Sequence, residues 1–237
     1  MNGEFYDAAL KAVCIQRGDV FWPPDSQLPM TEPEDALIPQ IGFIGADYRR
    51  GGTLLLGINP GGGGDTYSRT AEDAILLPMI DALRRSKASL EAMWTMFDQV
   101  LANMQTWNLW RIVEPVLGAS GNTPSAIAYL NCCPFRTLRD GRPHAHALRQ
   151  CRDIHLGPLI RELTPNRIIA LGKKAGDVLA KELRFDASRY VVRRTRGDSY
   201  IHPDAAKVLA EIRRDRSDSS YSGPGRRSSD SMTLAST

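Results

Sequence analysis

Three neutral polar side chains occupy positions in this 237-residue sequence where they could bind a flat ligand. Asn59 follows the apolar run "TLLLGI" and precedes Pro60 and four consecutive glycines, and Asn131 ends the run "AIAYLN". His202 stands in "YIHP", ahead of the last predicted helix. A carboxamide offers a hydrogen-bond donor and an acceptor side by side, and an imidazole can donate to an oxygen that gains negative charge. Together the three residues indicate recognition of a planar heterocycle.

Each of these residues also has a purely structural explanation. An Asn before proline is common in turns, Asn131 can satisfy backbone groups at a strand end, and His202 can introduce a helix. The glycine run lacks the Lys-Ser/Thr pair of a phosphate-binding loop, because Asp65 and Thr66 stand there. The four glycines are also only a weak signal for a dinucleotide-binding fingerprint. We therefore expect no nucleotide cofactor.

The histidines and cysteines predict no metal site. His144 and His146 are two residues apart at the start of a helix, so they point to different sides. Cys151 and His155 share a helix face, and we interpret them as a buried thiol beside a surface imidazole. Free and mostly buried thiols are expected for the four cysteines, Cys14, Cys132, Cys133 and Cys151.

The bulk composition is that of an ordinary globular protein. Apolar residues make up 42% of the chain and the net charge is +3, with much of the basic excess in the C-terminal third. No apolar run is long enough to span a bilayer, and the first residues do not resemble a secretory signal. We expect a cytoplasmic monomer that does not bind membranes.

Short apolar runs alternate with helical segments along most of the chain. This alternation predicts a three-layer α/β/α sandwich whose central sheet has four mainly parallel strands. The predicted strands are 52–58, 126–131, 166–172 and 189–195, and the predicted helices are 70–86 with Thr70 as N-cap, 89–104, 144–163 with a bend at Gly157-Pro158, 173–183 and 204–214.

Three regions follow from this pattern. Residues 1–50 are predicted to form a helix and a wrapping loop of the same domain, 51–216 the α/β domain, and 217–237 a disordered Ser/Arg-rich tail.

Ligands bind beyond the carboxyl ends of parallel strands. The residues directly after each strand, including Asn59, Asn131 and the Lys173-Lys174 pair, are therefore the candidates for a binding site.

Four motifs, in order, resemble the uracil-DNA glycosylase superfamily over about residues 53–210. "LLLGINPGG" resembles its first motif in the form typical of the mismatch-specific branch. "AYLNCCPF" resembles the strand that carries the base-reading Asn, as in the single-strand-selective monofunctional branch. "RIIALGKKAGDVLA" is similar to a shared strand–Gly-Lys–helix unit, and "YIHP" is similar to the His-Pro motif.

The resemblance implies a DNA glycosylase that extrudes uracil or a related damaged pyrimidine from DNA and hydrolyses its N-glycosidic bond. Asn59 would position the attacking water, and His202 would donate to the base oxygen as it becomes anionic. Asn131 would pair with uracil and reject cytosine. The remaining substrate-binding residues would be Gly57, Ile58, Pro60, Gly61, Gly62 and Tyr67, and the phosphate-binding residues would be Lys173, Lys174 and Arg196. The expected partner is single-stranded or mismatched DNA, with no cofactor and no metal.

Two differences from the family pattern keep other functions open. Ala71 and Glu72 stand where the family usually has a Phe that stacks on the base, and Tyr67 is the nearest aromatic. "DAAK" follows the His-Pro motif in place of an apolar wedge. A protein of the same fold that binds a base, nucleotide, nucleic acid or partner without cleaving it is the alternative. An unrelated α/β protein with accidental motifs is the third.

Overall fold

The computed structural model describes residues 3–22, 38–61, 70–86, 89–183, 186–195 and 201–221. Within these residues the chain forms one five-stranded sheet of order β1-β3-β2-β4-β5. Its strands are β1 (Gly42–Ile44), β2 (Thr53–Gly57), β3 (Ile127–Asn131), β4 (Arg167–Leu171) and β5 (Ser188–Val192).

Four of these strands are the predicted ones, and they pair in parallel. The prediction of a four-stranded sheet is wrong, because β1 adds a fifth strand that pairs antiparallel with β3. A three-residue strand between turn residues has too few positions to show any periodicity, so its sequence gave no signal. The protein is thus an α/β protein with a mixed sheet.

The helices that the structure describes are α1 (Tyr6–Val13), α2 (Arg17–Val20), α3 (Ala71–Ser86), α4 (Leu90–Thr106), α5 (Trp110–Ser120), α6 (Ala145–Cys151), α7 (Gly157–Leu163), α8 (Lys173–Glu182) and α9 (Ala205–Tyr221). Helix α9 extends past residue 217, where the disordered tail was predicted to begin, and 222–237 lie outside the described residues. No described helix is both long and apolar enough to cross a membrane.

The start of α3 is fixed by a reciprocal pair of hydrogen bonds. The Asp73 N–H donates to Thr70 Oγ1 at 3.1 Å, and the Thr70 N–H donates to Asp73 Oδ2 at 3.1 Å. Two backbone donors of the first turn are satisfied in this way. The prediction of Thr70 as N-cap is confirmed.

The segment 144–163 contains a π-helical turn, Arg152–Leu156, between α6 and α7. The prediction of a surface imidazole at position 155 is wrong, because His155 is completely buried. A π-turn inserts one extra residue into the helix, which rotates the following side chains relative to a regular α-helix. Regular helical spacing therefore did not predict which side of the helix His155 occupies.

Candidate functional site

A cavity of about 620 Å³ opens where the parallel strands end. The last residues of β2, β3 and β4, which are Gly57, Asn131 and Leu171, all line it. Its other walls include residues of α3, α4, α8 and the turn between α4 and α5. This is the position at which parallel α/β sheets bind ligands.

The parallel pairing of β2 and β3 continues into the loops that follow. Gly57 is the register partner of Asn131, and beyond the strands the Cys132 N–H donates to the Gly57 carbonyl at 2.9 Å. The Cys133 N–H donates to the Ile58 carbonyl, also at 2.9 Å. These bonds hold the two Asn-containing loops side by side at the cavity.

The side-chain amide of Asn131 is held in one orientation. Its Nδ2 donates to the Gln40 carbonyl at 3.1 Å, and its Oδ1 accepts from the Tyr129 hydroxyl at 3.0 Å. A carbonyl can only accept, so the amide cannot be flipped. Oδ1 can accept one more hydrogen bond and Nδ2 can donate one more. An acceptor and a donor of Asn131 therefore lie side by side.

Gly57 leaves the space that this amide and the Tyr129 ring occupy. A Cβ at position 57 would lie 2.7 Å from Asn131 Oδ1 and 2.6 Å from the Tyr129 hydroxyl oxygen. Both distances are shorter than real Cβ contacts allow. A side chain at position 57 would displace the Asn131 amide.

Asn59 is oriented by Thr137. The Thr137 hydroxyl donates to the Gly141 carbonyl at 2.6 Å, so its oxygen is an acceptor for Asn59 Nδ2, which lies 2.9 Å away. A second bond runs from Nδ2 to the Pro60 carbonyl at 3.3 Å. Both amide protons are engaged, and Oδ1 keeps its acceptor capacity.

The side of the cavity formed by β4 and α8 is basic. Lys173 and Lys174 form the first turn of α8, where helix N–H groups add partial positive charge. Gly172 precedes them with φ 110°, and a Cβ there would lie 2.9 Å from Arg194 Nε. The lysines and Arg194 all line the cavity.

Burial keeps several titratable groups near the cavity in their neutral form. It raises the pKa of the Tyr129 hydroxyl well above its usual value, so that group remains a donor. Burial likewise raises the pKa values of the Cys132 and Cys151 thiols, which disfavours thiolate chemistry. Burial lowers the pKa of His155 to about 4, and its Nε2 lies 3.0 Å from the Asn131 carbonyl oxygen.

The structure brings most of the predicted site residues to one cavity. Those that line it are Gly57, Ile58, Asn59, Pro60, Gly61, Asn131, Lys173 and Lys174. His202 is not among the lining residues; its N–H donates to the Arg193 carbonyl at 3.0 Å, beside Arg194, which does line the cavity. Gly62, Tyr67 and Arg196 lie outside the described residues.

The imidazole of His202 contacts Asp204. The Asp204 N–H donates to His202 Nδ1 at 3.2 Å, and Asp204 Oδ2 lies 3.3 Å from the same nitrogen. Both contacts are made by Nδ1, and neither involves Nε2. A proton on Nε2 would make that nitrogen a donor for a ligand oxygen.

The sequence did not lead us to the residues that orient the Asn59 and Asn131 amides, nor to those that α3 and the turn between α4 and α5 contribute to the cavity. Tyr129 could have been identified from the sequence, because it lies two positions before Asn131 and therefore on the same face of the strand. The Arg136–Asp73 ion pair, with bonds of 2.8 and 3.1 Å, joins the loop after β3 to the first turn of α3, 63 residues away, and left no local signal. Trp107 was also not identified, because it directly follows α4, a helix whose apolar stripe was interpreted as part of the core.

The fold is that of an α/β protein with a mixed sheet and a cavity at the carboxyl ends of its parallel strands. Comparison of the chain with models of known protein families and with curated proteins finds no match.

Proposed function

We propose that this protein hydrolyses the N-glycosidic bond of uracil, or of a related damaged or mismatched pyrimidine, in DNA. The observation that carries the proposal is the Asn131 amide, which lines the cavity in a single orientation and is only 4% exposed. The order of the four motifs, and the location of the first three at the ends of β2, β3 and β4, support a uracil-DNA glycosylase type of fold with helices on both faces of the sheet.

A fixed amide can select one base by its hydrogen-bonding pattern. The free acceptor position of Asn131 Oδ1 would take the N3–H of uracil, and the free Nδ2 proton would bond O4. Cytosine has an acceptor at N3 and a donor at C4, so it would leave both groups unpaired. Because the amide cannot rotate, that mismatch costs binding energy and discriminates strongly.

Asn59 is the proposed water-positioning residue. Its Oδ1 would accept a hydrogen bond from a water whose oxygen attacks C1′ of the deoxyribose. The C1′–N1 bond breaks, its electron pair leaves with the base, and the water proton is released to solvent. Since a carboxamide cannot take up that proton, we expect slow turnover compared with an enzyme that has a carboxylate base.

Stabilisation of the departing base anion is assigned to His202, through a hydrogen bond from its Nε2–H to the base oxygen. This role requires the imidazole to reach the base when DNA binds. Lys173 and Lys174 would hold DNA phosphates, contacts that position the strand without reading its sequence.

The experiment is a panel of single-stranded and duplex oligonucleotides containing uracil, 5-hydroxymethyluracil or a mismatched pyrimidine. Each is incubated with the protein and treated with alkali to cleave abasic sites. We expect cleavage at uracil that is lost in Asn59→Ala and retained in Thr195→Ser, which conserves a cavity-lining hydroxyl. The absence of abasic product from every oligonucleotide contradicts the proposal.

A second candidate is a protein that binds a base in DNA without cleaving it. The observation that favours it is the position of His202, which is not one of the described cavity-lining residues. A binding protein would retain affinity for a uracil-containing strand and release no base. Measuring binding and base release on the same oligonucleotide separates the two functions.

A further inference from the structure

The cavity contains an aromatic wall that neither the motifs nor the proposed mechanism uses. Trp107, in the turn between α4 and α5, lines the cavity and is partly buried against the core. Among the described lining residues the other aromatic is Tyr129, which is 5% exposed and directs its hydroxyl to Asn131. Trp107 is therefore the described residue with aromatic surface available to a ligand.

The indole of Trp107 is fixed by Glu72. Its Nε1 donates to Glu72 Oε2 at 2.7 Å. The Thr106 hydroxyl lies 3.1 Å from Glu72 Oε1 but makes its shorter bond, 2.7 Å, to the Asn103 carbonyl. The charged hydrogen bond from Nε1 is therefore the contact that fixes the indole to Glu72. Glu72 is in the first turn of α3 and itself lines the cavity, so the contact joins two cavity walls.

We propose that Trp107 is the residue on which the extracted base stacks, and that Glu72 is the positioning residue that holds the indole. This inference rests on the proposed function, because it requires a planar base in the cavity. Nucleobases stack on aromatic faces with little dependence on sequence, since every base has a π-face. An indole whose only polar atom already has a partner loses little freedom when a base binds.

The stacking role is tested by binding that does not depend on turnover. The probe is a single-stranded oligonucleotide with one 2′-fluoro-2′-deoxyuridine, whose glycosidic bond resists hydrolysis. Trp107→Phe keeps a ring, and Trp107→Leu keeps apolar volume without one. We expect Trp107→Leu to weaken binding by about 5- to 100-fold and Trp107→Phe by much less. Equal affinities of the two variants overturn the proposal.

Tryptophan fluorescence gives an independent readout. The chain has four tryptophans, and Trp110, which is partly buried in the next helix, is the matched control. Quenching by the probe should persist in Trp110→Phe and disappear in Trp107→Phe. Quenching that persists in Trp107→Phe argues against stacking.

Glu72 is tested by a conservative and a disruptive change. Glu72→Gln keeps an oxygen acceptor for Nε1 and should bind the probe like the unchanged protein, whereas Glu72→Ala should weaken binding as Trp107→Leu does. Equal affinity of Glu72→Ala and the unchanged protein rejects the positioning role.

Failure of this inference is distinguishable from failure of the proposed function. If uracil is excised and Trp107→Leu matches Trp107→Phe, the stacking inference fails and the activity stands. If no lesion is excised but the probe quenches Trp107, the hydrolase proposal fails and stacking stands.

Discussion

The hydroxyl of Tyr129 restrains the side-chain amide of Asn131 from the same face of the same strand, through a 3.0 Å hydrogen bond to Oδ1. Residues two apart in a strand point to the same side, so this contact follows directly from strand geometry. Together with the Gln40 carbonyl it converts a rotatable carboxamide into an oriented one. Five predictions concern this arrangement and the groups around it.

Tyr129→Phe should weaken the discrimination between uracil and cytosine by about tenfold or less, because one restraint on the Asn131 amide is lost. Competitive binding of uracil- and cytosine-containing strands measures it. The matched control is Tyr48→Phe, which removes a buried 3.2 Å bond to the Leu163 carbonyl. Both variants should lose about 1 kcal/mol of unfolding free energy. Equal loss of discrimination in both would contradict the orienting role.

Gly57→Ala should reduce binding of a uracil-containing strand and lower the free energy of unfolding by about 1–3 kcal/mol, because the new methyl group overpacks against Asn131 and Tyr129. Binding assays and urea denaturation measure the two effects. Gly118→Ala is the control, since a Cβ there meets nothing within 4 Å and Ala favours helix α5. Unchanged affinity in Gly57→Ala would show that the Asn131 amide tolerates displacement.

Replacing Lys173 and Lys174 by Ala should weaken DNA binding and flatten its salt dependence. Each lost phosphate contact should reduce the slope of log K against log salt by about 0.7 to 0.9. Lys181→Ala, in the last turn of the same helix, should leave the slope unchanged. A titration of affinity from low to high salt provides the measurement. If the slope of the double variant equals that of the unchanged protein, the lysines do not contact phosphate.

Asp73→Asn should lower the free energy of unfolding by about 3–5 kcal/mol, because it removes the buried carboxylate charge that pairs with the guanidinium of Arg136. The side chains of this ion pair are 13% and 3% exposed. Glu162→Gln breaks the surface pair with Arg50, whose side chains are 49% and 47% exposed, and should cost less than about 1 kcal/mol. Denaturant titration of both variants measures the difference, and similar costs would argue against a buried pair.

His155 should make the protein less stable as the pH falls. Burial lowers its pKa from 6.5 to about 4, so between these values the unfolded chain binds a proton that the folded chain does not. The unfolding free energy therefore decreases as the pH drops through this window, by on the order of 3 kcal/mol in total.

The variant for this test is His155→Gln, which keeps an N–H donor for the Asn131 carbonyl and does not titrate. The difference in unfolding free energy between this variant and the unchanged protein should change between pH 7 and pH 4. A difference that is constant over that range would show that His155 is not the group responsible.

Several features of the fold and of the site could be predicted from local patterns. The four parallel strands are continuous apolar runs, and Thr70 with Asp73 is a recognisable N-cap pair, so both signals lie within a few residues. The positions of Asn59 and Asn131 at the cavity follow from the same patterns, because parallel strands end at a common edge.

The sequence by itself determined the four parallel strands and most of the helices that follow them, and which two carboxamides lie where the strands end, whereas it gave no prediction of β1 or of α5. Only the tertiary structure decided how those amides point, because one partner of each is distant along the chain: Thr137 is 78 residues from Asn59, and Gln40 is 91 residues from Asn131. It also decided the burial of His155, the antiparallel edge strand and the place of Trp107 in the cavity wall. Local periodicity reports burial along one element, whereas the orientation of a polar side chain depends on groups that only folding brings to it.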